Sequence, residues 1–583
     1  MYLKQSYRKD SGRTYMVIAR KYRDPKTGKP KEQNIKPIGY VDEFKGEYAD
    51  PVAHFREIAK KMTEEEKAKR HMSLDIDMEE ELPEDAAGVK NFGYAPLLKV
   101  YHSLGLDKFL KGKARSAGFE FNTNSIMILL TISRILSPGS KLKAFSEKGR
   151  YFERFDFSLD DVYRSLKHFN KISSGLQRYL HESVRTEYGS DTSVIYFDVS
   201  NYYFEISKAD DFRKYSGNAK QNRKKPVIQM GLAMDKDGIP LHYELFPGNK
   251  LDKETFRPVI GEIRKNYGTG RVIVVADMGV ITGDNIYYLV GDKPEKPKNG
   301  YVFGFSIRGG ADAFKKYVLS PEGYTGAGGA PITENTDFIV KDRVVAREIN
   351  VTMDSGRARK TKKVYEKQVV FWSKKYFLKA RAERAEILAK AEALIADPKK
   401  FTRATSYGAA AYVNNLKYDK DTGEILDTGK LLSLDETKVK EEEKYDGYYC
   451  LTTSELHTPV PEIIDTYRGL WEIEETFKIT KSDLEARPVY VSDIAHINAH
   501  FLTCFIALTI LRLIQKVTGK KYSAEKIVDC LNKIECMNEH ENIYLFGYRS
   551  DISDALGKSF GIDFTKKRLR LADIKKYLGD VKK

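Results

Sequence analysis

The spacing of apolar residues changes several times along this chain. Between 91 and 190 they recur at three- and four-residue steps, which predicts helices. Residues 126–136 are the most apolar of these and are stopped by Pro138-Gly139. Ser158-Leu-Asp-Asp161 reads as a capping box, with Asp for the usual Glu, ahead of the stripe Val162, Tyr163, Leu166 and Phe169. A separate helix is predicted over 175–188. From 193, short β-branched and aromatic runs take over. They predict strands at 193–199, 227–235 and 240–246, the last two joined by the hairpin turn Lys236-Asp237-Gly238. A helix at 254–267, a strand at 271–276, a helix at 284–290 and a strand at 301–307 follow. The hairpin makes its strands antiparallel, and a crossover helix makes the next strand parallel.

Outside this run the pattern is looser. Residues 1–45 predict a small β unit around the turn Asp24-Pro-Lys-Thr-Gly28, 52–70 a charged helix, and 71–85 an acidic linker with Pro83. After 309 comes a Gly-rich loop to 329. Strands are predicted at 337–351, 363–372, 409–414 and 448–452, with a charged helix at 376–396. Residues 465–481 read as one helix, and 496–515 as a buried one. The expected divisions are 1–88 (β unit, charged helix, linker), 89–190 (helical, DNA-binding), 191–308 (core, first part), 309–458 (mostly β insertion), 459–518 (core, second part) and 519–583 (basic C-terminal region).

Composition narrows the class. The chain has 583 residues, a formal net charge of +16 and a pI near 9.1, which favours a polyanionic partner. With 41% hydrophobic and 31% charged residues it reads as soluble and globular. The four cysteines at 450, 504, 530 and 536 form no CxxC pair, so they read as reduced thiols without zinc, in a cytoplasmic protein. MYLKQSYRKD lacks a signal-peptide core. The most apolar stretch, 501–511, is short for a bilayer and Arg512 follows it, so no membrane is expected.

Candidate chemistry lies in three acids. On a helix over 465–481, Tyr467, Leu470, Trp471, Glu474, Phe477 and Lys481 share one face, which makes Glu474 a carboxylate on an apolar face. Such a group needs a partner or a metal. Glu472 and Glu475 point elsewhere and read as solvated. A helix pair of Glu474 with Lys478 or Lys481 is the plain alternative. Asp198 and Asp277 each end a buried strand, at the sheet edge where α/β folds gather their sites. Each alone reads rather as a turn residue or helix cap. Together, three carboxylates make an oxygen-rich cluster that suits Mg²⁺ or Mn²⁺.

The strand order is that of the ribonuclease-H-like fold. The motifs resemble the DDE transposases of bacterial insertion sequences, in the branch with a Tyr-Arg-Glu-Lys signature and a β-rich insertion before the glutamate. The resemblance spans about 190–515. It rests on Tyr196-Phe-Asp198-Val-Ser, Tyr215-Ser-Gly-Asn, Arg223-Lys-Lys-Pro226-Val-Ile-Gln229, Gly231 to Pro240, Phe246-Pro-Gly-Asn249 with Asp252, Ala276-Asp277-Met-Gly279, and Tyr467 to Lys481 continuing to Tyr490. Tyr467, Glu474 and Lys481 fit the signature spacing. Its Arg position holds Leu470, and Trp471 matches the aromatic that follows. The resemblance implies cut-and-paste DNA transposition with Asp198, Asp277 and Glu474 holding two Mg²⁺ ions, Mn²⁺ substituting. It also implies Tyr467, Lys481 and Trp471 as DNA contacts, with the basic loop Arg223, Lys224 and Lys225. The partners would be double-stranded DNA and a second copy of the chain. The alternatives are a nuclease on the same fold and a non-catalytic DNA-binding derivative.

Overall fold

A computed structural model describes every residue except 24–29, 70–78, 80, 82–87, 207, 217–224, 294–296, 353–358, 399–407, 419–424, 427–430 and 541. The expected turn at 24–28, most of the acidic linker, and Arg223 and Lys224 therefore lie outside the described residues.

The chain divides into two compact units, Met1–Ala86 and Ala87–Lys583. In the first, strands Tyr2–Arg8, Arg13–Arg23 and Pro30–Tyr40 form an antiparallel sheet in chain order, followed by helix Pro51–Lys69. Met16, Ile18, Ala19 and Ala59 fill its core.

The second unit is a mixed α/β structure around a nine-stranded sheet flanked by helices, compatible with a ribonuclease-H-like fold. Five strands make up one end of this sheet. The first core strand, Val194–Tyr203, pairs antiparallel with the second, Val227–Met234, which pairs antiparallel with the third, Pro240–Pro247. Helix Asp252–Asn266 crosses over to the fourth, Ile273–Ala276, which lies parallel to the first. Helix Gly283–Val290 leads to the fifth, Gly300–Phe305, parallel to the fourth. Gly238, at φ 78°, supplies the left-handed turn between the second and third strands.

The long strands of 309–458 do not make a sheet of their own. Tyr448–Thr453 adds antiparallel to the fifth core strand, and Arg359–Ser373, Phe338–Thr352 and Thr325–Gly326 extend the sheet beyond it. This segment also holds helices Asp312–Leu319, within the stretch expected to loop, and Lys374–Ala396. The strand expected at 409–414 is mostly a 3₁₀ turn, Gly408–Tyr412.

Two apolar layers sandwich the sheet. Helices Asp252–Asn266 and Gly283–Val290 cover one face through Phe256, Val259, Ile263 and Leu289. The other face meets helix Ile494–Val517, which packs against Thr123–Leu136 and Leu159–Tyr188. Ile494–Val517 is longer than expected, and by length and composition could cross a membrane. Yet 94% of its apolar window is buried inside the fold. Leu159–Tyr188 opens with the expected capping box: Asp161 N–H donates to Ser158 Oγ at 3.2 Å and Ser158 N–H to Asp161 Oδ2 at 3.0 Å. It then runs unbroken through Gly175, where two helices were expected, because its apolar stripe continues through Leu176, Leu180 and Val184. All four cysteines are free and buried.

Among the described residues, no acid pairs with the buried ammonium of Lys141. Lys141, 4% exposed, donates to His500 Nδ1 at 3.3 Å, and His500 Nε2 faces the Ala486 carbonyl at 3.1 Å. Burial, then the charge of Arg134, pulls the Lys141 ammonium down to about 7. Unfolded, it titrates near about 10.4. Between those values the unfolded chain binds the extra proton, so this site's share of stability rises with pH. Denaturant unfolding from pH 7 to 9.5 should therefore give a steeper upward slope for the wild type than for Lys141→Met. The difference should total a few kcal/mol, at about 1.4 kcal/mol per pH unit. Parallel slopes would mean that Lys141 is neutral or solvated.

Candidate functional site

The first core strand and the glutamate-bearing helix lie side by side. Tyr196, Asp198, Ser200 and Tyr202 alternate onto one face of the strand. At one end, the Tyr196 hydroxyl sits so close to Gly469 that a Cβ there would be 1.9 Å from it. At the other end, Lys481 Nζ lies 5.7 Å from the Tyr202 ring centre. From Gly469 to Lys481 a helix rises about 18 Å. From Tyr196 to Tyr202 a strand rises about 20 Å. Asp198, a third of the way along, is thus level with Ile473 and Glu474. Asp277 follows the neighbouring parallel strand, whose Ala276 pairs with Phe197. The structure therefore brings Asp198, Asp277 and Glu474 near one another, with Asp198 midway along its strand, which continues to Tyr203, rather than at the strand end expected.

The local geometry departs from the sequence reading in three ways. The single helix expected over 465–481 is two, Val460–Arg468 and Trp471–Lys481. The joint tightens at Leu470, whose N–H donates to the Tyr467 carbonyl at 3.0 Å, where Tyr196 demands close approach. The face expected to be apolar is split: Leu470 and Phe477 are buried, but Trp471 is 55% exposed and Glu474 is exposed. The buried carboxylate is Glu472, expected to be solvated. It is 8% exposed and paired with Lys520 at 2.9 Å and Arg512 at 3.5 Å, and Glu475 also accepts from Arg512 at 3.2 Å. Helical spacing fixes which residues share a face. Which face turns inward depends on where the buried cations lie.

The electrostatics mark Asp198. Burial, then the charges of Asp277, Asp252 and Glu474, push its carboxyl up to about 7. Asp252, the first residue of helix Asp252–Asn266, is a fourth carboxylate to which the sequence reading gave no role. Burial and Asp277 raise it as well. Its only sequence signal was its place just after Phe246-Pro-Gly-Asn249. Asp277 accepts from Met278 N–H at 2.7 Å and from the Tyr467 hydroxyl at 3.3 Å. Tyr467 also meets the Tyr449 hydroxyl at 2.9 Å. Gly304 leaves room for this trio, since a Cβ there would lie 2.6 Å from the Tyr467 oxygen. Burial, then Arg487, lowers Lys481, while Asp198 works the other way. Lys225 pairs with Glu205 at 2.5 Å and stands over the Tyr203 ring.

A cavity of about 1040 Å³ opens beside these groups, lined among others by Asp277, Arg308, Lys375, Tyr376, Trp471 and Glu474. Four carboxylates offer oxygen donors only, the chemistry of a hard divalent ion, and their mutual repulsion is what such an ion relieves. Among the described residues, no group of three His, Cys, Asp or Glu side chains could hold an ion as arranged. The fit is thus one of donor type and charge, with Asp277 turned toward Met278 and Tyr467.

Comparison with known proteins adds a separate line. Residues 3–74 match the family model of the IS1634 family transposase N-terminal domain. That match links the chain to the insertion-sequence transposases. It falls on the first unit, where the sequence reading found no chemistry. No curated protein matches. Among solved structures, a Mos1 transposase paired-end complex with left transposon end is similar over 38% of this chain, at 12% identity and a TM-score of 0.11. The chain spans 63% of that structure's length.

The shift on Asp198 has a measurable cost. Its folded value, about 7, lies above the unfolded value near about 3.9. The folded chain then binds the extra proton between them, so stability falls as pH rises through that window. Some remaining exposure softens the effect. In EDTA, Asp198→Asn should melt a few degrees above wild type at pH 8 and level with it at pH 4. Added Mg²⁺ should raise the wild type and close the gap. Equal melting at both pH values would sink the idea of mutually repelling carboxylates.

Proposed function

We propose that this chain is a DNA transposase of an insertion sequence, acting on duplex DNA in the cytosol through a DDE site on a ribonuclease-H-like core. The observation that carries the reading is the proximity of Asp198, Asp277 and Glu474, on strands and a helix up to 276 residues apart. The match of the first unit to a transposase N-terminal domain supports it independently.

Asp198, Asp277 and Glu474 would hold two Mg²⁺ ions, or Mn²⁺ in their place. Bound there, the metal would polarise the scissile phosphate and lower the pKa of an attacking water. The chain's own groups do the rest. Asp252 adds negative charge that strengthens cation binding. The Tyr467 hydroxyl orients Asp277. Lys481, beside Asp198, is a point charge for a phosphate next to the cut. Exposed Trp471 and Tyr376, with Lys375 and Arg308 on the same cavity, suit a nucleic-acid strand: aromatic faces for bases, cations for backbone. Water is the first nucleophile and a DNA 3′-hydroxyl the second, so no protein nucleophile is required. Joining two element ends calls for a second copy of the chain.

The test is cleavage and strand transfer on DNA carrying the element's own ends, in Mg²⁺. Asp198→Asn, Asp277→Asn and Glu474→Gln should bind the ends yet fall to background cutting. Glu462→Gln, on the exposed side of the preceding helix, should cut like wild type. Normal cutting by Glu474→Gln would refute the assignment. Cleavage without any joined product would favour a nuclease.

A further inference from the structure

Arg512 sits within helix Ile494–Val517, 4% exposed, and all three nitrogens of its guanidinium are engaged. Nη2 donates to the Glu472 carbonyl at 2.9 Å and to Thr476 Oγ1 at 2.6 Å. Nε donates to the same Thr476 oxygen at 3.1 Å. Nη1 donates to Glu475 Oε2 at 3.2 Å and Gln515 Oε1 at 3.1 Å. Three of these four acceptors' residues, Glu472, Thr476 and Glu475, belong to a single turn of the glutamate-bearing helix. Glu474 projects from that same turn, outward to the cavity.

The surroundings make the grip rigid. Thr476 is fully buried. Glu472 is held a second time by Lys520, and the Gly238 turn packs on its carboxylate, where a Cβ would come within 2.9 Å. Lys516, one helical turn beyond Arg512, donates to Asp237 of that hairpin turn at 2.8 Å. Helix Ile494–Val517 therefore ties both the hairpin and the turn 472–476 to one frame. A planar guanidinium gives this fork, whereas a lysine offers a single point.

We infer that Arg512 is a positioning residue for Glu474: by clamping the turn 472–476 from behind, it sets how far the Glu474 carboxylate reaches toward Asp198 and Asp277, and so how tightly the cluster binds a divalent ion. This rests on the proposed role of Glu474. Groups that orient metal ligands typically change affinity roughly 10–100-fold when removed, and Arg512, acting through the backbone, belongs at about the lower end.

The experiment is Mn²⁺ binding to the full chain without DNA, followed by electron paramagnetic resonance, with circular dichroism on every variant. Glu474→Gln should weaken Mn²⁺ binding. Arg512→Met should weaken it about tenfold, Arg512→Lys less, and Thr476→Val, which keeps the shape but loses the acceptor, by a few fold. Glu462→Gln, exposed on helix Val460–Arg468 and outside the clamp, should bind like wild type. Folded Arg512→Met and Thr476→Val with unchanged Mn²⁺ affinity would overturn the inference while leaving the three-carboxylate site intact. If Arg512→Met does not fold, Thr476→Val decides. If wild type binds no Mn²⁺, or Glu474→Gln binds it equally well, the site reading fails, and this inference with it.

Discussion

The close approach of Tyr196 to Gly469 governs the rest of the site. Any side chain at 469 would push the helix off the strand, and Asp198 and Glu474 would separate together. Because the contact is steric, it is intolerant in a way that charge pairs are not. It also explains the tightened joint between Val460–Arg468 and Trp471–Lys481.

Around this contact the charges are sorted into two kinds. Behind the helix, Glu472 and Glu475 face Arg512 and Lys520, two acids against two bases, so the buried network is balanced. In front, Asp198, Asp252, Asp277 and Glu474 repel one another, with Lys481 at the margin. The balanced side gives the helix a fixed seat. The unbalanced side costs stability, and on the proposed reading that repulsion is what a bound cation would relieve. Strained, self-repelling groups of this kind are typical of sites kept for function at some loss of stability.

Much of this was readable from residue order, for reasons that can be named. The capping box at Ser158 and the turn at Gly238 are local, so four residues suffice to specify them. The core strands were legible because each is a short run rich in β-branched and aromatic residues, and the first and fourth carry an acid within or just after the run. What failed depended on distant partners. Nothing near 469 says that a tyrosine 273 residues earlier will press on it. Glu472, Glu474 and Glu475 are chemically alike, and only Arg512 and Lys520, decades of residues later, decide which of them turns inward. Spacing alone puts Trp471 on an apolar face, yet it lines the open cavity. The strands of 309–458 were seen as strands, but whether they would close on themselves or extend the core is a matter of edge pairing with Gly300–Phe305.

The small sheet at the far side of the second unit bears on how this molecule comes into being. Val89–Asn91 pairs with Glu535–His540, and the Asn91 amide donates to the Leu531 carbonyl across 440 residues. Closing so long a loop demands that nearly everything between be compact first. On a ribosome, the strand at 89 must wait for its partner until most of the chain has emerged. The glutamate at 474 and the arginine that seats it at 512 also come late, long after Asp198 and Asp277. A chain truncated before 474 would therefore carry two of the three acids without the third, and would lack helix Ile494–Val517, which covers one face of the sheet.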